Sequence, residues 1–522
     1  MKKQLLPWQI SCLKQWEKNH YKGIVNVVTG AGKTILAIAA IEQLRKIRPL
    51  KIKIVVPKIF LMYQWHSVLR QELKISRESI GFFSGAYKST AGKDIMIYVI
   101  NSARDSLARH IIEDVNHNNS VLLIADECHH YGSKENARIF GYISHLPDSG
   151  SIFTLGLSAT PWCKNYHEVL IPALGEEIYR FGFLDALKAN IISKFSLFNI
   201  SVSFNPMEKD TYDTISNQLF YTLHQLEKIC PDMSKKISGD FFATLQDLTN
   251  HPNPEIAELA RAVFFLSIQR KEVVNQAKYR IDAVVELVRR IPQTSKIIIF
   301  GERIETAVEI GRRLQNLYPN EVGVYHSKVP KSLNEHTLRQ FKDADIRILV
   351  SCKNLDEGLD VSETDVGIVT SSTGSQRQRV QRLGRVLRKK QSHVYFYYIY
   401  VKDTTEEEEL LKEILRPEFS GLINRIDLHY NEETGTFENP QYKMWEMAVV
   451  QDMIEKRHSE EEIMEFMRNA DKSLLRVDWL LSEEECAQKL QTASDKATRN
   501  YYIAVLLIIR ARRSLSRINF TS

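Results

Sequence analysis

Short apolar runs recur along the first part of the chain, and stretches with helical spacing separate them. The runs are continuous rather than alternating, which indicates strands that are buried on both faces. Alternation of such strands with helices is typical of βαβ units and a parallel sheet. The pattern therefore predicts strands at Ile24–Val28, Ile52–Val56, Ile95–Ile100, Val121–Ala125 and Phe153–Leu157.

A second α/β unit is predicted after an interval of helical periodicity between residues 205 and 290. From about Glu406 the chain becomes helical and charged, and we interpret Glu406–Glu409 as a solvated helix start that the helix dipole stabilises. The second set of strands is expected at Ile297–Phe300, Val322–Tyr325, Ile346–Val350, Val366–Val369 and Val394–Val401.

These patterns predict an α/β protein in four parts. The length of 522 residues suggests about three domains, since one domain takes roughly 150 residues. We expect a first parallel-sheet domain at residues 1–204, a helical connecting region at 205–290, a second parallel-sheet domain at 291–412 and a mostly helical C-terminal extension at 413–522.

The composition is that of a soluble globular protein, with 43% hydrophobic and 26% charged residues. No apolar run approaches the roughly 20 residues that a membrane helix needs, and Met1–Trp8 lacks the apolar stretch of a signal peptide. Six cysteines without a Cys-x-x-Cys pair favour a reducing cytoplasm. We therefore expect a cytoplasmic protein with no membrane partner. The net charge of +6 is compatible with a polyanion but does not identify one.

A glycine-rich segment joins the first predicted strand to a helix, which is the context of a phosphate-binding loop. Its sequence is Val27-Val28-Thr29-Gly30-Ala31-Gly32-Lys33-Thr34, with Val27 where the usual pattern has glycine. Backbone N–H groups of Gly30, Ala31 and Gly32 would surround a phosphate at the helix start. Lys33 would reach the β- and γ-phosphates of a nucleotide, and the Thr34 hydroxyl would bind Mg²⁺. The alternative is an ordinary glycine-rich turn.

Two carboxylates follow the strand predicted at Val121–Ala125, in the sequence Asp126-Glu127-Cys128-His129-His130. Side chains at such a position lie where α/β sheets bind ligands. Asp126 would hold Mg²⁺, and Glu127 would position and deprotonate the attacking water. One alternative is a solvated acidic turn. The other is a metal site at Cys128 and the histidines, but the segment lacks a second ligand pair at zinc-like spacing.

Two arginines share one face of a helix predicted to begin in Gln381–Arg388. Arg385 and Arg388 are three residues apart, and paired guanidinium groups suit a phosphate that gains charge during transfer. A solvated basic helix is the alternative. In combination with the phosphate loop and the two carboxylates, the arginines favour an ATP-hydrolysing site with an arginine finger supplied by the same chain.

On these residues the chain resembles the DExH-type helicases and translocases of superfamily 2, and within them the XPB-type branch. The family's motifs occur in order over about residues 5–400. The branch is indicated by Ser371–Ser375 and Gly175–Ile192, whereas residues 415–522 carry no part of the resemblance. The matching segments are Leu5–Gln9, Val27–Thr34, Val56–Lys58 followed by Gln64-Trp65, Asp126–His129, Ser158–Thr160, Ile297–Gly301, Tyr325–Ser327, Leu355–Val361 and Gln381–Arg388.

The resemblance implies two tandem RecA-like domains that bind ATP and Mg²⁺ between them. It also implies adenine recognition by the Gln9 amide, which can pair with the purine edge. Further nucleotide contacts are expected from Gly358, Asp360 and Gln381.

The resemblance also implies a surface that holds a nucleic-acid backbone without reading its sequence. In the first domain this surface would include Pro57, Lys58, Ser102 and Arg104. Residues that couple hydrolysis to the bound strand would be His129, Ser158 and Thr160. For the last two, a simple turn at a strand end is the alternative.

The predicted function is ATP-dependent movement along duplex DNA, or remodelling of it, by a helicase or translocase. The stretch Ser371–Ser375 favours DNA over RNA. Two alternatives stay open. One is an RNA-dependent ATPase or sensor; the other is the motor subunit of a multi-protein restriction or phage-defence system, with residues 413–522 binding the partner. Trp162, after Pro161, would stack on a base, but a core tryptophan is at least as good an interpretation. Near the end of the helix predicted at Tyr501–Arg513, several arginines either complement the helix dipole or contact nucleic acid or a partner; they are Arg510, Arg512, Arg513 and the later Arg517.

Overall fold

The structure is a computed structural model that describes residues 4–85, 87–89, 93–146, 150–192, 195–231, 241–352, 364–370, 393–407 and 423–518. These residues form two compact units, which are described separately. The first contains the described residues up to 192, and the second contains those from Phe195 onward. In the described part of the chain, no helix combines the length and the apolar character that crossing a membrane requires.

The first unit is built on a seven-stranded sheet in the order β3-β4-β2-β5-β6-β1-β7, and all its described pairs are parallel. Its strands are β1 (Ile24–Val27), β2 (Leu50–Val56), β3 (Ile80–Phe83), β4 (Ile95–Val99), β5 (Ser120–Asp126), β6 (Ile152–Ser158) and β7 (Glu177–Phe181). Its α-helices are α1 (Pro7–Lys18), α2 (Lys33–Arg45), α3 (Ile59–Leu73), α4 (Ile100–Ala103), α5 (Leu107–Asn116), α6 (Ile171–Leu174) and α7 (Phe183–Lys188).

The continuous apolar runs explain the interior of this sheet. Every side chain of the predicted strand Val121–Ala125 is fully buried in β5, because helices cover both faces of the sheet. The five strands predicted in this unit are all present, whereas β3 and β7 were not predicted. Both additional strands lie at the edges of the sheet, where β7 has mostly half-exposed side chains.

The second unit contains an eight-stranded sheet in the order β10-β11-β9-β12-β13-β8-β14-β15, parallel except for the last pair. Its strands are β8 (Phe195–Val202), β9 (Ile297–Gly301), β10 (Val322–Tyr325), β11 (Ile348–Cys352), β12 (Val366–Val369), β13 (Val394–Val401), β14 (Asn424–Asn431) and β15 (Thr436–Glu438). Its described α-helices are α8 (Pro206–Ile229), α9 (Phe241–Leu248), α10 (Pro254–Gln276), α11 (Lys278–Arg290), α12 (Ile304–Leu317), α13 (Lys331–Lys342), α14 (Pro440–Glu455), α15 (Glu460–Arg476), α16 (Glu483–Gln491) and α17 (Lys496–Ile518).

Helix starts in this unit follow local sequence signals. Asn205 caps α8 by accepting a hydrogen bond from the Glu208 backbone, and Pro206 occupies the first helical position. The starts of α15 and α16 have reciprocal caps, in which the side chain of each residue accepts a hydrogen bond from the backbone N–H of the other. The pairs are Ser459 with Glu462 and Ser482 with Glu485. These caps fix where α8, α15 and α16 begin.

The position of β8 corrects the predicted domain boundary at residue 204. The strand Phe195–Val202 pairs in parallel with β13 over its whole length, so it belongs to the second sheet. Its side chains are nearly all buried, as expected for a strand with neighbours on both sides. Sequence order suggested the first domain because β8 directly follows the first unit.

The C-terminal extension is also part of the second unit rather than a separate body. Strand β14 pairs with β8, and the side chains of Tyr430, Trp445 and Trp479 belong to the same apolar core as the second sheet. Arg290 of α11 adds a polar link, since its Nε atom lies 2.6 Å from Asp471 Oδ2. The extension is mostly helical, as predicted, but it contributes two strands to this sheet.

The interpretation of Glu406–Glu409 as a solvated helix start is wrong for its first two residues. Glu407 is fully buried and its Oε1 atom lies 2.6 Å from a terminal nitrogen of Arg280, which is also fully buried. Glu406 accepts hydrogen bonds from Arg270 Nε at 2.7 Å and from the Tyr212 hydroxyl at 2.9 Å. The carboxylates lie against α8, α10 and α11, so the helical region supplies their partners.

Candidate active site

The predicted site residues of the first unit lie at one edge of its sheet, namely the edge formed by the carboxyl ends of its parallel strands. Strands β1, β2, β4, β5 and β6 run in the same direction, so their carboxyl ends meet at this edge. The glycine loop follows β1, Asp126 ends β5 with Glu127 directly after it, and Ser158 ends β6. Ligands of α/β sheets bind at such an edge.

The glycine loop has a backbone that only glycine adopts easily. Gly30 and Gly32 have φ angles of 88° and 100°, in the left-handed region. Helix α2 begins directly afterwards, at Lys33, without a capping side chain. Its first N–H groups therefore remain available to an anion, and the buried Thr29 hydroxyl has no hydrogen-bond partner among the described residues.

Gln9 supports this loop from α1. Its Nε2 atom donates to the Gly32 carbonyl at 3.0 Å, and its Oε1 atom accepts from the Leu6 backbone at 2.8 Å. A Cβ atom at Gly32 would lie only 2.9 Å from Gln9 Nε2. The side chain predicted to contact adenine thus contacts the loop backbone in this structure.

Lys33 and Glu127 form an ion pair at the centre of the site. Lys33 Nζ lies 3.0 Å from Glu127 Oε1, and the exposed fractions of the two side chains are 11% and 17%. Glu127 itself has a positive φ of 48°, which turns the chain sharply after β5. The loop and the acidic segment, far apart in sequence, are therefore in direct contact.

Asp126 is a buried carboxylate held by two donors. Trp65 Nε1 donates to its Oδ2 atom at 2.8 Å, and the Glu127 backbone donates to its Oδ1 atom at 3.1 Å. Burial and the neighbouring Glu127 charge raise the pKa of Asp126 to about 6, although Lys33 opposes this. A divalent cation would offset the charge of both carboxylates, so oxygen ligands from Asp126 and Thr34 fit Mg²⁺.

The structure brings His129, Ser158 and Thr160 together. His129 Nδ1 lies 2.9 Å from the Ser158 hydroxyl oxygen, which also accepts a hydrogen bond from the Thr160 backbone at 3.1 Å. The same histidine nitrogen lies 3.6 Å from Glu127 Oε2. A polar path therefore connects the end of β6 with the carboxylate beside Lys33.

The alternative metal site at Cys128 has little support in the geometry. The Cys128 side chain is fully buried in the apolar core of this unit. Burial raises the pKa of its thiol, which disfavours the thiolate that a metal would need. Over the described residues there is no group of three or more His, Cys, Asp or Glu side chains that could hold a metal ion.

The four residues predicted to contact nucleic acid follow two strands of the same sheet edge. Pro57 and Lys58 lie between β2 and α3, and Ser102 and Arg104 lie in and after α4, which follows β4. All four are partly exposed. Strands β2 and β4 are neighbours, so the two segments belong to one surface.

Some residues of the sequence predictions lie outside this cluster, and others lie outside the described part of the chain. Trp162 is 46% exposed, with the Arg180 guanidinium 4.8 Å from its ring centre, so it is not a core residue. Arg510 and Arg513 both pair with Glu483, which satisfies them within the extension. Predicted residues outside the described part of the chain are Gly358, Asp360, Gln381, Arg385 and Arg388.

Trp65 is a site residue to which sequence analysis gave no role. It is 1% exposed and orients Asp126 from helix α3. Tyr131 was also missed; its hydroxyl contacts the carbonyls of Asp126 and Val55, at 2.7 and 3.0 Å. Trp65 belongs to a segment that matches a family motif, but that match gave it no contact with Asp126. The only sequence signal for Tyr131 was an aromatic side chain close to the acidic segment.

Comparisons with known proteins identify the class. A family model described as "Type III restriction enzyme, res subunit" matches residues 2–162, and one described as "Helicase conserved C-terminal domain" matches residues 279–390. The chain thus contains the paired domains of superfamily 2 helicases, as predicted, and the predicted enzyme class, a nucleic-acid-dependent ATPase, is confirmed.

Individual relatives agree with this class. The chain is 29% identical to the "DNA 3'-5' translocase XPB2" of Sulfurisphaera tokodaii over 405 residues, which are 77% of this chain and 83% of the relative. The Pyrococcus furiosus Hef helicase domain has 17% identity and a TM-score of 0.50, covering 78% of this chain and 98% of that one. The DUF1998 helicase MrfA bound to DNA and AMPPNP has 14% identity and a TM-score of 0.53, covering 82% and 52%. The solved structures confirm the fold of two tandem RecA-like domains.

Proposed function

We propose that the protein is a cytoplasmic motor that hydrolyses ATP, with Mg²⁺, to move along duplex DNA. The observation that carries the proposal is the cluster at the edge of the first sheet. An uncapped glycine loop, the Lys33–Glu127 pair and the buried Asp126 carboxylate adjoin one another there. These groups are the kind that catalyse transfer of a phosphoryl group from a nucleotide to water.

The ion pair at the centre of the site gives the first step. Incoming phosphates carry more negative charge than Glu127, so Lys33 would turn from the carboxylate to the β- and γ-phosphates. Glu127 would then be available to orient water and accept its proton. Mg²⁺, held by Thr34 and Asp126, would offset phosphate charge during the reaction.

Residues of the later predicted motifs would complete the reaction. We propose that Arg385 and Arg388 stabilise the charge that develops on the transferred phosphoryl group, as arginine fingers do. Gln9, Gly358, Asp360 and Gln381 would contact the nucleotide. The nucleotide would favour one arrangement of the protein over another, and that difference would drive movement.

DNA is the proposed track, because a relative that is 29% identical over 77% of this chain is named a DNA translocase. The MrfA structure of similar fold also contains DNA. Pro57, Lys58, Ser102 and Arg104 would bind backbone phosphates, which carry no sequence information. The expected preference is therefore for duplex DNA over RNA without a preferred sequence.

An ATPase panel tests the proposal. Hydrolysis is measured at fixed salt with single-stranded, duplex and forked DNA and with RNA, since phosphate-driven affinity changes steeply with ionic strength. We expect duplex DNA to stimulate the wild-type protein most, and Lys33→Ala and Glu127→Gln to abolish the stimulated rate. Wild-type turnover in either variant, or stimulation by RNA alone, would contradict the proposal.

A motor subunit of a restriction system is a second candidate, because one matching family model carries the description of such a subunit. The C-terminal extension would then present its outer surface to the partner subunit. Affinity purification of the intact chain from native cells distinguishes the two. A stoichiometric partner supports the second candidate, and recovery of the chain alone counts against it.

A further inference from the structure

A single amide side chain joins the predicted nucleic-acid surface to the acidic segment of the active site. Arg104 Nε donates to Asn136 Oδ1 at 2.9 Å. Asn136 Nδ2 in turn donates to the His130 carbonyl at 2.7 Å. His130 closes the turn after β5, since its N–H donates to the Glu127 carbonyl at 3.1 Å.

The Asn136 amide bonds both partners at once, because its oxygen accepts from Arg104 while its nitrogen donates to His130. An amide has an acceptor and a donor fixed in one plane, so a displacement at one end changes the geometry at the other. Arg104 is partly exposed and, in the described part of the chain, bonds through its side chain only at Nε. Its two terminal amino groups can therefore accommodate a phosphate in a bidentate manner while Nε stays on Asn136.

We propose that Asn136 is a positioning residue that transmits the binding of a nucleic-acid phosphate at Arg104 to the turn after Glu127. This inference depends on the proposed function, because it concerns how DNA stimulates that site. Asn136 contacts neither substrate. It sets how strongly DNA accelerates hydrolysis, while the chemistry itself remains with Lys33 and Glu127.

The chain offers two matched controls. Asn165 is also a partly buried asparagine, and its Nδ2 atom donates to the Gly132 carbonyl of the same turn at 2.8 Å, but it does not contact Arg104. Arg138 pairs with Asp105. This pair links the segment of Arg104 to the segment of Asn136, but Arg138 does not contact the turn after Glu127. A loss of general rigidity would affect these variants as much as Asn136→Ala.

The first experiment measures the ratio of DNA-stimulated to basal ATPase rates. One ordinary hydrogen bond corresponds to about a three- to tenfold effect. We expect Asn136→Ala to lower the stimulation ratio by about that factor, with a basal rate within about twofold of wild type. Asn165→Ala and Arg138→Ala should keep the wild-type ratio. Asn136→Asp retains an acceptor for Arg104 but loses the donor to His130, so it should behave like the alanine variant.

A binding measurement separates coupling from structure. Allosteric coupling is reciprocal in binding free energy, so a non-hydrolysable ATP analogue should change the DNA affinity of the wild-type protein. In Asn136→Ala this change should shrink toward none, while the affinity without nucleotide stays within about twofold. Combined with Arg104→Ala, Asn136→Ala should add little further loss, whereas Asn165→Ala should remain independent.

The outcomes distinguish this inference from the proposed function. A wild-type protein that no nucleic acid stimulates would overturn the proposed function and the inference with it. A stimulated wild-type protein whose Asn136→Ala and Asn136→Asp variants keep the full ratio would overturn only the inference. An equal loss in Asn165→Ala would do the same. Thermal unfolding of each variant identifies misfolding, and a folded Asn136→Asp protein decides the question if the alanine variant unfolds.

Discussion

Replacement of Trp65 by phenylalanine should weaken Mg²⁺ binding without altering any residue that is proposed to contact ATP. The indole N–H donates to Asp126 Oδ2 at 2.8 Å, and phenylalanine removes that donor while keeping an aromatic ring. A hydrogen bond to an ionised group contributes about 1.5–3 kcal/mol, and groups that orient metal ligands change metal affinity by about 10–100-fold. We therefore expect the Mg²⁺ concentration for half-maximal ATPase rate to rise about tenfold or more.

Steady-state ATPase assays across a Mg²⁺ titration measure this effect. Trp16→Phe is the matched control, because Trp16 is equally buried in the same unit and its Nε1 atom donates to the Thr154 carbonyl, also at 2.8 Å. It loses the same kind of group away from Asp126, so it should lower stability without shifting the Mg²⁺ dependence. An unchanged Mg²⁺ dependence in folded Trp65→Phe, or an equal shift in both variants, would refute the reasoning.

Three further predictions concern the loop, a buried ion pair and the metal. Gly32→Ala places a Cβ atom 2.9 Å from the Gln9 amide at a φ of 100°, so urea unfolding should show a loss of about 1–3 kcal/mol, whereas Gly85→Ala, which meets nothing within 4 Å, should change little. Glu407→Gln leaves the Arg280 charge buried without its partner and should cost about 3–5 kcal/mol by the same measurement; Arg312→Ala, at an exposed ion pair, is the mild comparison. Chelation of divalent ions should abolish hydrolysis, and added Mg²⁺ should restore it; a rate that persists in excess chelator would count against a metal at Asp126.

The sequence predicted strands that form continuous apolar runs better than strands with mixed polar and apolar side chains. Strands such as β5 are buried on both faces and appear as continuous apolar runs. Strand β14 alternates polar and apolar side chains and lies beside β8, so that Asn199 bonds Asp427, 228 residues away. Such pairing depends on sheet order, which local periodicity does not encode.

The candidate site shows the same division. Lys33, Asp126 and Glu127 were predictable because their spacing and position after strands reflect local backbone chemistry. Trp65 and Asn136 were not assigned roles, because their partners lie 61 and six residues away and depend on how side chains turn in the folded protein. The acidic run from Glu406 was interpreted as solvated for a related reason. A charged stretch does not indicate that a helix distant in sequence will bury it, as the helix of Arg280 buries Glu407.

The central claim is that hydrolysis at the Lys33–Glu127 site drives movement along duplex DNA. Displacement of a third strand from a DNA triplex reports such movement even when the duplex strands stay paired. The account predicts ATP-dependent displacement by the wild-type protein and none by Glu127→Gln, which should still bind DNA. Displacement by Glu127→Gln, or none by a wild-type protein whose ATPase duplex DNA stimulates, would contradict it.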